Sequence, residues 1–323
     1  MAFQWGILGA ARIARALIPA IREAGGEVAM LGCRDRERGA AFAREWNIPR
    51  VGSYDDLLSA ELDAVYNPLP NDLHLPWSAR MLEGGRHVLC EKPFTLNAGQ
   101  ARELADVAGR SGRTVLEAFA YRFTPRVQEA ARLVRAGELG EVRAYRGAQG
   151  FTLRNPGDFR WRPGQGGGAL YDVGCYVVSL SRLLLGEPGS AVAQARWSEG
   201  GVDMGLSGVL DHGGALASIE CGFDWLGQEV ASRCVLVGSE AELVLDEAYH
   251  NTPGPSVLRV GDESRSFPLA NGYARMVAHF QRAALGEEAL LYPPSDAVAQ
   301  AGAMDALLLS AREGRRVAVE AGG

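Results

Sequence analysis

The chain of 323 residues reads as an α/β protein: an N-terminal doubly wound parallel sheet, then an α+β domain with an open, mostly antiparallel sheet. Three observations predict this. Up to residue 120, short β-rich apolar runs alternate with helical patterns, as in βαβ units. After residue 121 that rhythm stops. From 191 to about 260, strand-like runs are separated by Gly-Gly, Asp-His-Gly-Gly and Gly-Ser turns, the pattern of an antiparallel meander. At roughly 100 to 200 residues per domain the length gives about two cores, with the boundary expected between 1–120 and 121–323.

In the first domain, strands are expected over 3–8, 27–33, 63–67, 86–90 and 114–119, where near-continuous apolar runs suit strands covered on both faces. Helices are expected over 13–24, 36–46, 76–83 and 97–110, with Gly84-Gly85 and Gly112 as terminators. A helix from about 125 to 136, closed by Gly137, leads into a strand over about 141–151. A glycine- and arginine-rich loop, 153–168, precedes a helix starting near Ala169, whose Leu170, Val173, Val177, Leu180 and Leu184 form one apolar stripe. Beyond the meander, helices are expected near 272–285 and 295–313, the second closed by Gly314, and a last strand over 316–320.

Composition narrows the function. With 47% hydrophobic and 22% charged residues, disordered and fibrous classes are excluded. A net charge of −6 argues against a phosphate-tracking nucleic-acid surface, so small molecules are the expected partners. Cys33, Cys90, Cys175, Cys221 and Cys234 form no C-x-x-C pair and read as reduced packing thiols, which points to the cytoplasm. No apolar run reaches the roughly 18 residues of a membrane helix, and the chain starts directly on a strand, so neither membrane insertion nor secretion is expected. Of 33 basic residues, 32 are arginine; the one lysine is Lys92.

The first strand ends in Gly9-Ala10-Ala11-Arg12-Ile13-Ala14, where a G-x-G-x-x-G/A loop belongs. A tight turn there aims backbone amides and a helix N-terminus at a pyrophosphate, which makes the loop a dinucleotide site, with Ala11 in the place of the middle glycine. About twenty residues on, the second strand delivers Gly32-Cys33-Arg34-Asp35-Arg36. Arginine pairs a 2′-phosphate, so Arg34 points to NADP; the alternative is that Asp35 takes the ribose of NAD.

The fourth strand ends in His87-Val88-Leu89-Cys90-Glu91-Lys92-Pro93, placing the lysine at the carboxyl edge of a parallel sheet, where ligands of such sheets bind. Upstream stands Tyr66-Asn67-Pro68-Leu69-Pro70-Asn71-Asp72-Leu73-His74, and downstream Glu117-Ala118-Phe119-Ala120-Tyr121-Arg122. With these segments the sequence resembles the glucose-fructose oxidoreductase, inositol dehydrogenase and MocA (Gfo/Idh/MocA) family of NAD(P)-dependent oxidoreductases over nearly its whole length. Trp5-Gly6-Ile7-Leu8-Gly9, Glu117-Ala118-Phe119 and 166–176 look most like the branch that includes dimeric dihydrodiol dehydrogenase and NADP-dependent xylose dehydrogenase. Many members carry D-x-x-x-H in the last segment; here Asp172 and Tyr176 hold those positions.

The resemblance implies a Rossmann domain and a hydride transfer between nicotinamide C4 and a secondary alcohol or carbonyl of a sugar, polyol or cyclic diol. Spacing agrees: residues 172 and 176 lie one helical turn apart and share a face. Tyr176 is the candidate acid-base group, since hydride transfer at a hydroxyl also moves a proton. A nearby ammonium such as Lys92 would favour its phenolate and bind the reacting oxygen, and a guanidinium could not exchange a proton in its place. Asp172 orients them. His74, Arg160 and Trp161 are candidate substrate contacts, Asn67 and Pro68 shape the cofactor cleft, and Glu91 borders the nicotinamide. The five histidines form no ligand-spaced cluster, so no metal is expected. Two alternatives stand: a reductase of a keto sugar or nucleotide-linked keto sugar, and a non-catalytic NADP-binding regulatory protein. The resemblance also implies a homodimer or higher homo-oligomer through the C-terminal sheet.

Overall fold

The computed structural model describes residues 2–225, 232–249 and 256–320. Its contacts divide the chain into two compact units, Met1–Ala120 with Tyr273–Ala297, and Tyr121–Gly272 with Val298–Gly323.

The first unit is built on a parallel sheet of β1 (Phe3–Leu8), β2 (Gly26–Gly32), β3 (Arg50–Gly52), β4 (Ala64–Asn67), β5 (His87–Cys90) and β6 (Val115–Glu117), in the order β3-β2-β1-β4-β5-β6. Between them run α1 (Ala14–Glu23), α2 (Arg36–Trp46), α3 (Asp56–Ser59), α4 (His74–Glu83) and α5 (Ala98–Ser111). Ile7, Leu8, Ala64, Val65, Val88 and Leu89 are fully buried, which accounts for the unbroken apolar runs. The strand order reverses between β1 and β4, so their carboxyl ends and that of β5 lie side by side where such sheets bind ligands. α2 begins where Asp35 accepts a 3.0 Å hydrogen bond from the Arg38 amide, and ends at Asn47 with φ of 51°. β3 and α3 are not expected from the sequence, since three and four residues are too few to show a period.

Tyr273–Ala297 joins this unit although the sequence reading assigned it to the second domain. α8 (Gly272–Ala284) brings Phe280 to 5.3 Å from the fully buried Trp5 of β1. That contact spans most of the chain, so no local pattern announces it.

The second unit contains α6 (Pro125–Arg135), β7 (Val142–Gly150), α7 (Cys175–Leu185), β8 (Ser190–Trp197), β9 (Asp203–Asp211), β10 (Leu216–Gly222), β11 (Ser232–Gly238), β12 (Glu242–Asp246), β13 (Ser256–Val260) and β14 (Glu263–Phe267). The long α9 (Pro294–Glu313) and β15 (Val317–Ala318) complete the chain. Among the described residues the sheet runs β14-β13-β12-β11-β7-β10-β9-β8-β15. Its pairs are antiparallel except β7 with β10, which is parallel. The meander is thus split: the chain leaves β7, passes through α7 and returns, and such a crossover permits parallel pairing.

Two further expectations change. The segment from Ala169 is not α-helical from its start: Leu170–Gly174 form a π-helical turn that passes into α7. Gly174 lies so close to β10 that a Cβ there would stand 2.8 Å from Cys221 Sγ, and the wider turn accommodates this approach. By length and composition alone one helical stretch, Pro163–Leu185, of 23 residues, would suffice to cross a membrane, where the sequence suggests no such run. In the fold 72% of its most apolar 18 residues are buried, as in a core helix.

Candidate active site

In the first unit, β1 hands the chain to Gly9, whose φ of 86° lies in the left-handed region that glycine tolerates. Its amide donates to the Gly32 carbonyl at 2.7 Å, and the Ala11 carbonyl accepts from the Ala14 amide at 3.2 Å, closing a tight turn into α1. Ala10 is buried, Ala11 and Ile13 half-buried and Arg12 exposed. No side chain caps α1 and no acidic residue stands in its first turn, so its N-terminus is open to an anion. This loop fits a dinucleotide pyrophosphate, and alanine at 11 does not prevent the turn.

At the end of β2, Arg34 is exposed while Asp35 is engaged in capping α2. Arg38, which the sequence reading passed over, donates from Nη2 to the Ala10 carbonyl at 2.8 Å. Burial pushes the Tyr54 hydroxyl up, and the charges of Arg34 and Arg38 both act on it in the opposite sense, so the two guanidinium groups share this end of the sheet. Their spacing of four on adjoining loop and helix was the available signal.

At the ends of β4 and β5, Asn67 is fully buried, donating to the His74 carbonyl (3.2 Å) and Ser78 Oγ (3.0 Å) and accepting from the Leu69 amide (3.3 Å). Asn67 and the buried Pro68 therefore fix the loop that follows β4. Tyr66 donates to Glu91 Oε1 at 2.6 Å; burial, then the Glu91 charge, push its hydroxyl far up and keep it a donor. Glu91 Oε2 accepts from the Lys92 amide at 3.2 Å. His74 lies inside, its Nδ1 2.7 Å from the Pro93 carbonyl and its Nε2 2.8 Å from that of Leu69. Burial holds its pKa down to about 4 against those two carbonyls, which act to raise it. The ring spans the two carbonyls and so links the Leu69 loop to the lysine loop. Lys92 itself is half-buried.

In the second unit, Asp172 stands in the π-turn and accepts from Arg160 Nε at 2.6 Å, with 12% of its side chain exposed. Arg160 also reaches Asp158 at 3.2 Å. Trp161 turns to the Asn155 carbonyl, 3.0 Å from Nε1, and sets its ring 5.7 Å from Phe223, bracing the loop. Tyr176 is half-buried, its ring edge-on to Tyr121 at 5.7 Å and tilted against Tyr249 at 6.0 Å. Tyr121 bonds Ser179 Oγ at 2.6 Å, so its ring backs Tyr176 from a fixed position. At the start of β9, Asp203 accepts from the Leu170 amide at 2.6 Å and anchors the segment that carries Asp172 and Tyr176. Nothing in the sequence near 203 announces that role.

The structure brings Arg160 to Asp172, and it places Gly9, Asn67, Glu91 and Lys92 on neighbouring strand ends of one sheet.

Comparison with known proteins agrees with this architecture. Residues 3–119 match the oxidoreductase family with an NAD-binding Rossmann fold, and residues 127–244 match the GFO/IDH/MocA C-terminal domain. The chain is 36% identical to D-xylose 1-dehydrogenase (NADP(+)) 2 of Haloferax volcanii, covering 98% of this chain and 99% of that protein. It is 35% identical to dTDP-3,4-didehydro-2,6-dideoxy-alpha-D-glucose 3-reductase of Streptomyces violaceoruber, over 87% and 85% of the two chains. A 3-ketoreductase from Actinomadura kijaniata, solved with NADP and TDP-benzene, superposes with a TM-score of 0.87 at 29% identity, over 96% of this chain and 98% of that one. With both domain models matched in order along one NAD(P)-type sheet and one open sheet, the chain belongs to the GFO/IDH/MocA family of oxidoreductases.

Proposed function

We propose that the protein is an NADP-dependent dehydrogenase of a secondary alcohol in a sugar, polyol or cyclic diol. The observation that carries this reading is the placement of Lys92 at the carboxyl end of β5, beside the strand ends that present Gly9 and Asn67. Nicotinamide C4 supplies or accepts the hydride when NADP is bound. Gly9, Ala10, Ala11, Arg12 and Ile13 hold its pyrophosphate, and Arg34 takes the 2′-phosphate with Arg38 beside it. The capping duty of Asp35 supports this assignment over a ribose contact for NAD. Asn67, Pro68 and Glu91 shape the nicotinamide side.

Lys92 binds the reacting oxygen, Tyr176 exchanges the hydroxyl proton, and Asp172, held by Arg160, orients the tyrosine segment. Arg160 is also the substrate contact we assign to the loop before the π-turn. We give His74 and Trp161 bracing roles in place of substrate contact, because both ring nitrogens of His74 and the indole nitrogen of Trp161 face backbone carbonyls. Met1–Ala120 with Tyr273–Ala297 form the cofactor unit, and Tyr121–Gly272 with Val298–Gly323 the substrate and assembly unit, of this reading.

A steady-state screen with NADP+ and NADPH over aldoses, polyols, keto sugars and vicinal diols tests the proposal. Substrate-dependent change in nicotinamide absorbance supports it. Tight NADP binding without turnover across the panel would favour a regulatory protein. The similarity to the 3-reductase favours a second reading, reduction of a nucleotide-linked keto sugar, which the NADPH arm separates. For the cofactor, Arg34→Asp is expected to weaken NADP+ by about 10- to 100-fold while affecting NAD+ little, in line with loss of charge-assisted phosphate contacts.

We further propose a cytoplasmic homodimer formed on the free face of the second sheet. Val192 and Val209 are paired across β8 and β9 and are 48% and 37% exposed, and Leu216 on the same face is 57% exposed. Such an apolar row on an open sheet suits an isologous partner. A monomer at all concentrations in sedimentation would end the dimer assignment.

A further inference from the structure

Glu117 closes β6 and has no part in the reaction as proposed, yet it is a carboxylate only 7% exposed. It stands opposite Cys90 in the parallel register, and its Oε1 accepts a 2.8 Å hydrogen bond from the Phe94 amide. Phe94 is two residues beyond Lys92 and itself 2% exposed. Successive backbone groups of the run are therefore held by a side chain of the run itself, one of α4 and one of β6. The Lys92 amide is taken by Glu91, the Pro93 carbonyl faces His74 of α4, and the Phe94 amide is taken by Glu117 of β6. Proline has no N–H, so Glu117 provides the first amide anchor on the far side of the lysine.

A lysine that must meet a reacting oxygen gains from a backbone that does not move, because a displacement of about 1 Å can lower a rate on the order of 100-fold. Glu91 fixes the near side of the run, His74 and Glu117 hold the carbonyl and the amide of the one Pro93–Phe94 peptide, and without Glu117 that peptide could pivot on the His74 contact alone. A carboxylate accepting from a backbone amide makes a charge-assisted bond, stronger than a neutral one, and its burial keeps water from competing for that amide.

We propose that Glu117 is a positioning residue for Lys92, acting through its hydrogen bond to the Phe94 amide. This rests on the reading that Lys92 serves the reaction. The test compares Glu117→Met, which keeps length and loses the acceptor, Glu117→Gln, which keeps an acceptor and loses the charge, and Lys92→Arg. Each is assayed with the best substrate of the screen, with NADPH binding followed by fluorescence. Glu117→Met is expected to lower kcat by about tenfold or more, with KM and NADPH affinity changed by less than about threefold, and Glu117→Gln to recover most of that loss. Should the methionine variant not fold, Glu117→Ala takes its place with the same expectation.

Wild-type kcat in the variant lacking the acceptor overturns the proposal, as does an equal loss in Glu117→Gln, since charge rather than the hydrogen bond would then matter. Wild-type turnover in Lys92→Arg overturns the reading of the lysine itself. Loss in Lys92→Arg together with normal kcat in Glu117→Met removes Glu117 alone.

Discussion

The lysine loop of the first unit and the tyrosine segment of the second are each anchored by a buried titratable side chain, His74 in one and Asp203 in the other. Both are almost without exposure, and burial opposes the charged form in both. The outcome has opposite sign. His74 is pushed down to about 4, from 6.5, against the carbonyls of Pro93 and Leu69. Asp203 is pushed up to about 6, from 3.8, against amides that include Leu170 and Ala169, which act to lower it. One desolvation penalty thus gives the two halves of the molecule opposite responses to acid. Their surroundings differ too: the lysine loop is held by side chains buried within the sheet unit, whereas Asp172 is held by Arg160, whose side chain is 29% exposed.

The largest expected effect breaks the lysine side alone. Lys92→Arg should lose at least tenfold in turnover, and up to about 10⁴-fold, with cofactor binding intact, because a guanidinium neither exchanges a proton nor occupies the site of a compact ammonium. Normal turnover in steady-state assays would remove the lysine from the mechanism.

Acid titration sharpens the comparison next. The folded pKa of His74 lies below its unfolded value, so its contribution is present above pH 6.5 and lost as pH falls through about 4. The folded pKa of Asp203 lies above its unfolded value, so its contribution is present below pH 3.8 and lost as pH rises through about 6. Each amounts to about 3 kcal/mol. Urea unfolding from pH 4 to 7 should show the wild-type advantage over His74→Gln shrinking toward acid, while that over Asp203→Asn grows. Parallel slopes would show that the two anchors do not titrate as described.

A backbone test follows. Gly168 has φ of 123°, and a Cβ there would collide with the Asp203 carboxylate. Gly168→Ala should destabilise the protein by about 1–3 kcal/mol, whereas Gly109→Ala, a helical position with open space, should be neutral or slightly stabilising in thermal melts. The smallest effect is expected at the partly buried ion pair of Arg160 and Asp172. Arg160→Leu should lower kcat/KM by about tenfold, with a salt dependence in the wild type that the variant lacks.

Much of the cofactor half was legible because its signals are local. Asp35 caps α2 where the sequence places a helix start, and Gly112 adopts φ of 63° where it was expected to end one. Lys92 at a strand end was visible because strand and turn are neighbours in sequence. Glu117 was in view as part of a motif, but its use was not, since it bonds an amide 23 residues earlier through strand pairing. Asp203 was invisible for the same reason, bonding Leu170 across 33 residues. His74 and Trp161 looked like ligands because side-chain type alone does not show that a ring nitrogen already faces a carbonyl.

The sequence by itself determined the alternation that makes a parallel sheet, the glycine turn into α1, the charge beside the second strand and the position of the one lysine. These depend on φ, periodicity and residue type within a few neighbours. Only the tertiary structure decided that β7 pairs in parallel with β10, that Tyr273–Ala297 packs with the first unit, and that Tyr66, His74 and Glu117 hold the lysine run. Those outcomes follow from burial. A buried amide, carbonyl or carboxylate must find a partner within about 3 Å, and the fold supplies it from whichever strand lies alongside.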